Sequence, residues 1–120
     1  MSFECSVKAP WLNSMGDVPS HLEYPDCSMV ALVERTARKH PDLCAYVFFG
    51  KRTTYARFVE RIVDCAKALR ANGISKGDKV SIALPNCPQG LTMFYAVNMT
   101  GAIANMIHPL SSEKEIEHFI

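Results

Sequence analysis

Apolar residues recur along this chain with two periods, and the changes of period mark its elements. From Ser28 to His40 the spacing is helical: Met29, Leu32, Val33 and Ala37 fall on one stripe, while Glu34, Arg35, Arg38 and Lys39 point away. The Ser28 hydroxyl can take a free N–H of the first turn, and Pro41 stops the continuation. "CAYVFFG" and "KRTTY" read as two extended pieces, with Gly50-Lys51 as a two-residue hairpin loop between them. Thr54 to Ala71 is the clearest helix. Tyr55, Phe58, Val59, Ile62, Ala66 and Leu69 make its apolar face, and Arg57, Glu60, Arg61, Asp64 and Arg70 fill the other side. Cys65 borders that face as a small core residue rather than a nucleophile. Gly73 stands where a left-handed cap belongs, followed by apolar Ile74.

After a turn at "SKGD", the run "KVSIAL" predicts a strand. Val80, Ile82 and Leu84 face one way; Ser81 and Ala83 face the other and are small enough to let a helix approach closely. Pro85 and Pro88 bracket a loop. Asn86 or Cys87 caps the next helix, Pro88 enters its first turn, and the helix runs to about Thr100. Gly101 ends it, and "AIANMI" returns as a strand. Ser111 or Ser112 caps a last helix, with Glu113 and Glu115 in its first turn, where the helix dipole favours them. Strand, helix, strand and helix with short links imply an α/β fold built on a partial parallel or mixed sheet with flanking helices.

One stretch breaks the usual mixture of charge. From Val80 to Ser112, 33 residues carry no Asp, Glu, Lys or Arg, although the chain as a whole is 21% charged. Its inner part, Gly90 to Ile107, has the 18 residues of a minimal membrane helix. Asn98, Thr100, Gly101 and Asn105, with prolines on both sides, argue against a transmembrane span, because unpaired amides are costly in lipid. A buried helix and strand covered on both faces fit better. A chain of 120 residues has little of its own to cover both faces, so the stretch implies further protein, either the rest of a longer chain or a partner. Met93, Phe94, Val97 and Ile103 in this region, Gln89 to Ile107, predict self-association through an exposed apolar patch. The competing expectation is that the N-terminal arm folds back over it.

Composition narrows the chemistry. Formal net charge is +1 and mean hydropathy +0.01, which gives no electrostatic case for nucleic acid and enough apolar residues for a core. Residues 1–27 are broken by Pro10, Gly16, Pro19 and Pro25 and read as an irregular N-terminal arm lying on a larger body. The opening "MSFECSVKAPW" has no basic segment followed by an apolar run, so no secretory signal is read and a cytoplasmic location is expected. The five cysteines, at 5, 27, 44, 65 and 87, include no C-x-x-C pair and are expected to be reduced thiols. His21, His40, His108 and His118 show no ligand spacing. Gly50-Lys51 is not a phosphate loop: Ala45 stands where its first glycine belongs, and Arg52 where Ser or Thr must follow the lysine. No catalytic, cofactor-binding or metal-binding residue is assigned.

The order of short motifs carries more. "YPDCSMVALVERTARKHPDLCAYVF", "TTYARF" and "LRANGISKGDKVSIALPNCPQGLTMFYAVNMTGAIANMIHPLSSEKEI" together resemble the beginning of the acyl-adenylate-forming enzymes, which include acyl-CoA synthetases, luciferases and peptide-synthetase adenylation domains. The likeness runs from about Pro19 to the end, and "VPSHLEYPDCS" is most similar to fatty-acyl-CoA ligases. The family's T-Y-x-E-L motif falls on Thr54-Tyr55-Ala56-Arg57-Phe58, with Arg57 in the acidic place, where it cannot close a capping box. A second core motif falls on Gly101-Ala102 through His108-Pro109-Leu110 and shapes the sheet and its turn.

The resemblance implies that residues 28–120 are the incomplete N-terminal portion of a large AMP-binding domain. The parent enzyme would be an acid–thiol ligase of the fatty acid–CoA type, using ATP, Mg²⁺, coenzyme A and a fatty acid or other carboxylate. None of the family's ATP-contacting motifs is matched here, so the 120 residues alone are expected to be inactive and to have the rest of the parent chain as their partner. The alternative is a self-contained α/β interaction module, which predicts a finished sheet and a monomer.

Overall fold

The computed structural model describes Trp11, residues 14–19 and residues 21–119. Among them the chain order is α1 (Met29–Lys39), β1 (Cys44–Phe48), β2 (Lys51–Thr54), α2 (Tyr55–Ala71), β3 (Lys79–Ile82), α3 (Pro88–Thr100), β4 (Ile103–Met106) and α4 (Glu113–Phe119). Every element expected from the spacing is present, and the α/β class holds. The sheet is divided, however: β1 and β2 form an antiparallel hairpin, while β3 and β4 form a separate parallel pair. A hairpin closes its hydrogen bonds locally, whereas a parallel pair needs the α3 crossover between its strands.

Helix ends follow their local chemistry. The Ala31 N–H donates to Ser28 Oγ at 3.3 Å, and the Arg57 N–H donates to Thr54 Oγ1 at 3.3 Å. Arg57 turns forward and pairs its guanidinium with Glu60, which raises its pKa through that hydrogen bond and charge. At the far end of α2, Gly73 has φ +90°; its N–H reaches Arg70 O at 3.0 Å, and the Ile74 N–H reaches Leu69 O at 3.1 Å. Those two bonds satisfy carbonyls that the helix end leaves open. The Ser112 N–H and Oγ both donate to Glu115 Oε2, at 2.7 and 3.0 Å, and hold that carboxyl below its ordinary pKa.

Three expectations need correction. The hairpin loop is Phe49-Gly50, one residue earlier than Gly50-Lys51, because Phe48 pairs with Lys51. Its two residues have φ of +45° and +76°; a tight hairpin turn needs that sign at both places, and glycine fills the second. On α1, the buried residue is Val30, while Met29 is 51% exposed. The Val30 N–H donates to Asn98 Oδ1 on α3 at 3.0 Å, a tertiary bond that fixes the rotation of α1. Finally, β3 stops at Ile82, and Ser81 and Ala83 lie exposed with no helix against them among the described residues. Asn105 Nδ2 donates to Ser81 Oγ across this open face at 3.3 Å.

Two apolar clusters hold the fold. In the first, Val30, Phe58, Ile62, Ala66 and Ala96 join α1, α2 and α3, with Ala45 and Tyr46 of β1 packed on them. In the second, Ile82, Val97 and Ala102 join α3 to the parallel strands, with Leu69 and Ile74 alongside. Cys65 packs on the first cluster as expected, and burial pushes its thiol pKa up. The described cysteines, Cys27, Cys44, Cys65 and Cys87, are all free thiols.

Residues 14–19 and 21–27 carry turns and bends and no strand or α-helix, with Leu22 60% and Tyr24 80% exposed. Apart from Trp11, the remainder of the 1–27 arm lies outside the described residues. Among those described, no helix is long and apolar enough to cross a membrane.

Ile62 is fully buried at the centre of the first cluster, whereas Ile103 is 54% exposed. Ile62→Ala should therefore cost about 2–5 kcal/mol, and Ile103→Ala less than about 0.5 kcal/mol. Urea unfolding followed by circular dichroism compares the two; equal losses would contradict this core.

Candidate functional site

In sheets with parallel strands, ligand crevices open beyond the carboxyl ends of those strands. Here β3 leads into Leu84–Cys87, and β4 ends at Met106. Both contribute to a groove of about 390 Å³, whose walls include Leu84, Pro85, Leu91, Phe94 and Met106, with Tyr46, Val47 and Phe48 of the hairpin opposite. The lining is mostly apolar, and its side-chain polar groups come from Asn86, Cys87 and Tyr46. Tyr46 is positioned from behind: its ring meets Phe58 edge-on at 5.4 Å, and its hydroxyl accepts from Arg61 Nη1 at 2.9 Å.

The floor of the groove is the start of α3. Cys87, one of the two expected caps, is the N-cap, and its Sγ accepts from the Gly90 N–H at 3.5 Å. Gly90 is required by close approach: a Cβ there would stand 3.1 Å from the Pro85 carbonyl oxygen and 3.4 Å from Leu84 Cβ. A second hollow, of about 410 Å³, lies on another side of the same helix start, lined by Arg61, Cys65, Pro88, Gln89, Thr92 and Met93.

The Gly101–Leu110 segment behaves as the sheet-shaping element its motif implied. Gly101 has φ +82° and closes α3; its carbonyl accepts from the Gly77 N–H at 3.1 Å, and the Ile103 N–H donates to Asp78 O at 2.7 Å. Asp78 fixes the neighbouring turn. Its carboxylate accepts from the Ser75 N–H at 2.7 Å and Oγ at 2.9 Å, which lowers its pKa. Beyond β4, His108 Nδ1 accepts from the Leu110 N–H at 3.2 Å.

No nucleophile–base pair is assembled in this groove from the contacts described. Among the described residues, no three of His, Cys, Asp and Glu gather as a metal site would require. Gly50 lies in a hairpin turn, and the N–H of Gly90 at the start of α3 is taken by Cys87. Of the side chains expected to hold a second copy, Val97 is fully buried, Met93 and Phe94 are half-buried, and Ile103 remains exposed. Sequence reasoning missed two residues. Asn98 reads in sequence as a polar residue in an apolar stretch, yet it takes an N–H of the first turn of α1. Gly90 carries a signal, since a glycine two residues after an N1 proline marks close approach.

A parallel pair bridged by a buried helix, with an apolar groove at its carboxyl end, defines a strand–helix–strand segment of an α/β domain. The family model for "AMP-binding enzyme" matches residues 33–120, and the chain belongs to that family. A long-chain-fatty-acid–CoA ligase of Bacillus subtilis is 34% identical over 110 residues, covering 91% of this chain and 20% of that protein. A Mycobacterium tuberculosis fatty acyl CoA synthetase superposes with a TM-score of 0.72 at 31% identity, over 76% of this chain and 18% of its own. An artificially fused Adenylation-PCP di-domain NRPS from Klebsiella oxytoca shares the fold, with a TM-score of 0.76 at 24% identity over 80% of this chain and 18% of its own. The chain thus spans about a fifth of the length of the curated relatives it matches.

Replacing Gly90 by Ala should push the new methyl against the Pro85 carbonyl and cost about 1–3 kcal/mol. Thermal unfolding checks this. A variant as stable as the parent would show that the Leu84–Cys87 loop yields freely.

Proposed function

We propose that this chain is the N-terminal part of an ATP-dependent acyl-CoA synthetase of the fatty acid–CoA ligase type, working in the cytoplasm. Residues 28–120 would form the start of its large AMP-binding domain, with residues 1–27 as an arm. The single observation that carries this reading is the 34% identity with a long-chain-fatty-acid–CoA ligase, sustained over 110 residues. The parent enzyme would use ATP and Mg²⁺ to join a fatty acid carboxylate to AMP, releasing pyrophosphate, and then transfer the acyl group to the thiol of coenzyme A. Activation is needed because a carboxylate oxygen is a poor leaving group and AMP a good one.

No step of that reaction is assigned to a residue here. The chain's contribution is positional: α3 and the parallel pair form a braced platform, and the groove at its carboxyl end faces the remaining domain. The divided sheet supports this over a self-contained module, because two isolated two-stranded sheets with open edges are marginal alone.

A chimera tests the proposal. Residues 33–120 would replace the matching segment of the Bacillus subtilis ligase, and fatty-acid-dependent exchange of pyrophosphate into ATP would be measured. Exchange should survive in the chimera and be absent from the 120-residue chain alone. A folded chimera without exchange, or exchange that follows the purified chain through fractionation, overturns the reading.

Open strand edges also support pairing with a second copy, since Ile103 and Met106 of β4 are each 54% exposed. Sedimentation equilibrium over a wide concentration range should show a rising mass that Ile103→Lys returns to monomer. A constant 13.4 kDa species would refute it.

A further inference from the structure

Helices α2 and α3 share the second hollow, and the groove on the parallel strands makes no use of it: the two linings have only Pro88 in common. Its volume of about 410 Å³ falls within the range of roughly 300–1,000 Å³ usual for small-molecule sites. One part of the wall is apolar. Cys65 of α2 and Met93 of α3 meet with their sulfurs 3.9 Å apart, and the Pro88 ring lies in the same lining. Burial pushes the Cys65 thiol pKa up, as a wall poor in water requires. A thiol, a thioether and a pyrrolidine ring offer no strong hydrogen-bonding group, so this part favours hydrocarbon.

Arg61, Gln89 and Thr92 complete the lining. Thr92 gives its hydroxyl proton to the Pro88 carbonyl at 2.7 Å. Arg61 has donors to spare. The other charges near it on α2 are paired, Arg57 with Glu60 and Lys67 with Asp64, whereas Arg61 has no carboxylate partner among the described residues. A guanidinium carries five N–H donors. Arg61 gives one, from Nη1, to the Tyr46 hydroxyl at 2.9 Å. Tyr46 is itself set edge-on against Phe58, so the guanidinium is held from behind and loses little freedom on meeting a ligand.

This lining selects its ligand. A single cation beside an apolar wall suits one negative charge joined to hydrocarbon. A carboxylate is planar and matches the guanidinium fork with two parallel hydrogen bonds. The second charge of a phosphate monoester would find no second cation in the lining.

We propose that this hollow binds an unbranched aliphatic carboxylate, with its tail along Cys65, Met93 and Pro88 and its head on Arg61. Binding here involves no ATP and no acyl activation. Its failure would leave the ligase reading untouched, and failure of that reading would leave the hollow as it is.

Titration of the 120-residue chain with decanoate at neutral pH, below the micellar range and followed by amide NMR, tests the proposal. The shifts should saturate and should centre on Cys65, Gln89, Thr92 and Met93. Decanol has the same tail without the charge and should bind about fivefold more weakly. Acetate, without the tail, should leave the spectrum unmoved. Arg61→Gln should weaken decanoate binding by about fivefold. Because that change also releases Tyr46, a second variant leaves Arg61 in place. Gln89 is exposed, and Gln89→Trp should cover the mouth and weaken binding by about tenfold. Circular dichroism confirms the fold of each variant. Absence of saturable shifts with decanoate overturns the proposal. So do shifts centred on Leu84, Leu91 and Phe94 of the groove, decanol binding as tightly as decanoate, or undiminished binding by either folded variant. Tighter binding of decyl phosphate than of decanoate would assign the hollow to phosphate and equally overturn it.

Discussion

Helix α3 has to be apolar on more than one side, and much of the structure follows from that constraint. Its adjacent residues Ala96 and Val97 are both fully buried, yet they belong to different clusters. Ala96 meets the α1–α2 layer, and Val97 meets the parallel strands. Successive helical positions are about 100° apart, so burial of neighbours in two clusters requires a broad apolar surface. A charge on that surface would need a buried partner. The uncharged residues of α3, Pro88–Thr100, are therefore the signature of a helix wedged among its neighbours. Two of its polar residues are bound: Asn98 Oδ1 accepts from the Val30 N–H, and Thr100 Oγ1 donates to the Val97 carbonyl at 2.7 Å.

The same wedge explains how a small chain presents a groove. The start of α3 comes close enough to the Leu84–Cys87 loop for Gly90 to sit under the Pro85 carbonyl. Pro88 fixes the first turn and cannot donate, and the Cys87 thiol takes the Gly90 N–H. The groove is bounded by backbone held in place from behind rather than by long flexible side chains. Its hairpin wall is braced in the same way, through Tyr46, Phe58 and Tyr95, whose rings meet edge-on in sequence. Rigidity at this wall suits a platform against which other protein must register.

Local signals were the most legible part of the sequence. Ser28, Thr54, Cys87 and Gly73 act through bonds to residues three to five positions away, so spacing alone reveals them. The phase of α1 was not legible. Met29 and Val30 are comparable apolar residues, and the choice between them is made by Asn98, 68 positions away. The hairpin turn lies one residue before the place its glycine suggests, because Phe49 carries no sequence sign of a left-handed backbone. Division of the sheet was hidden for another reason: period 2 identifies a strand but not its partner. Of the candidate site, the proline-bracketed loop was visible. The groove was not, since it joins Tyr46–Phe48 to Leu84–Met106 through tertiary packing.

A fold shared by a fatty acyl CoA synthetase and by an Adenylation-PCP di-domain, at identities of 31% and 24%, cannot by itself select the acid to be activated. What this segment supplies is backbone placement: capped helix starts, a left-handed helix end at Gly101 and a parallel pair of fixed register. Those features depend on turn chemistry and core volume, which many sequences satisfy. Sequence is free to diverge where neither constraint acts, as on exposed faces. Arg57 shows how such divergence is absorbed. A cation in the first turn of α2 opposes the helix dipole, but Thr54 retains the cap and Glu60, one turn on, supplies the opposing charge. The helix start is kept by two residues on either side of the altered one, so the platform survives a change that removes the usual acidic partner.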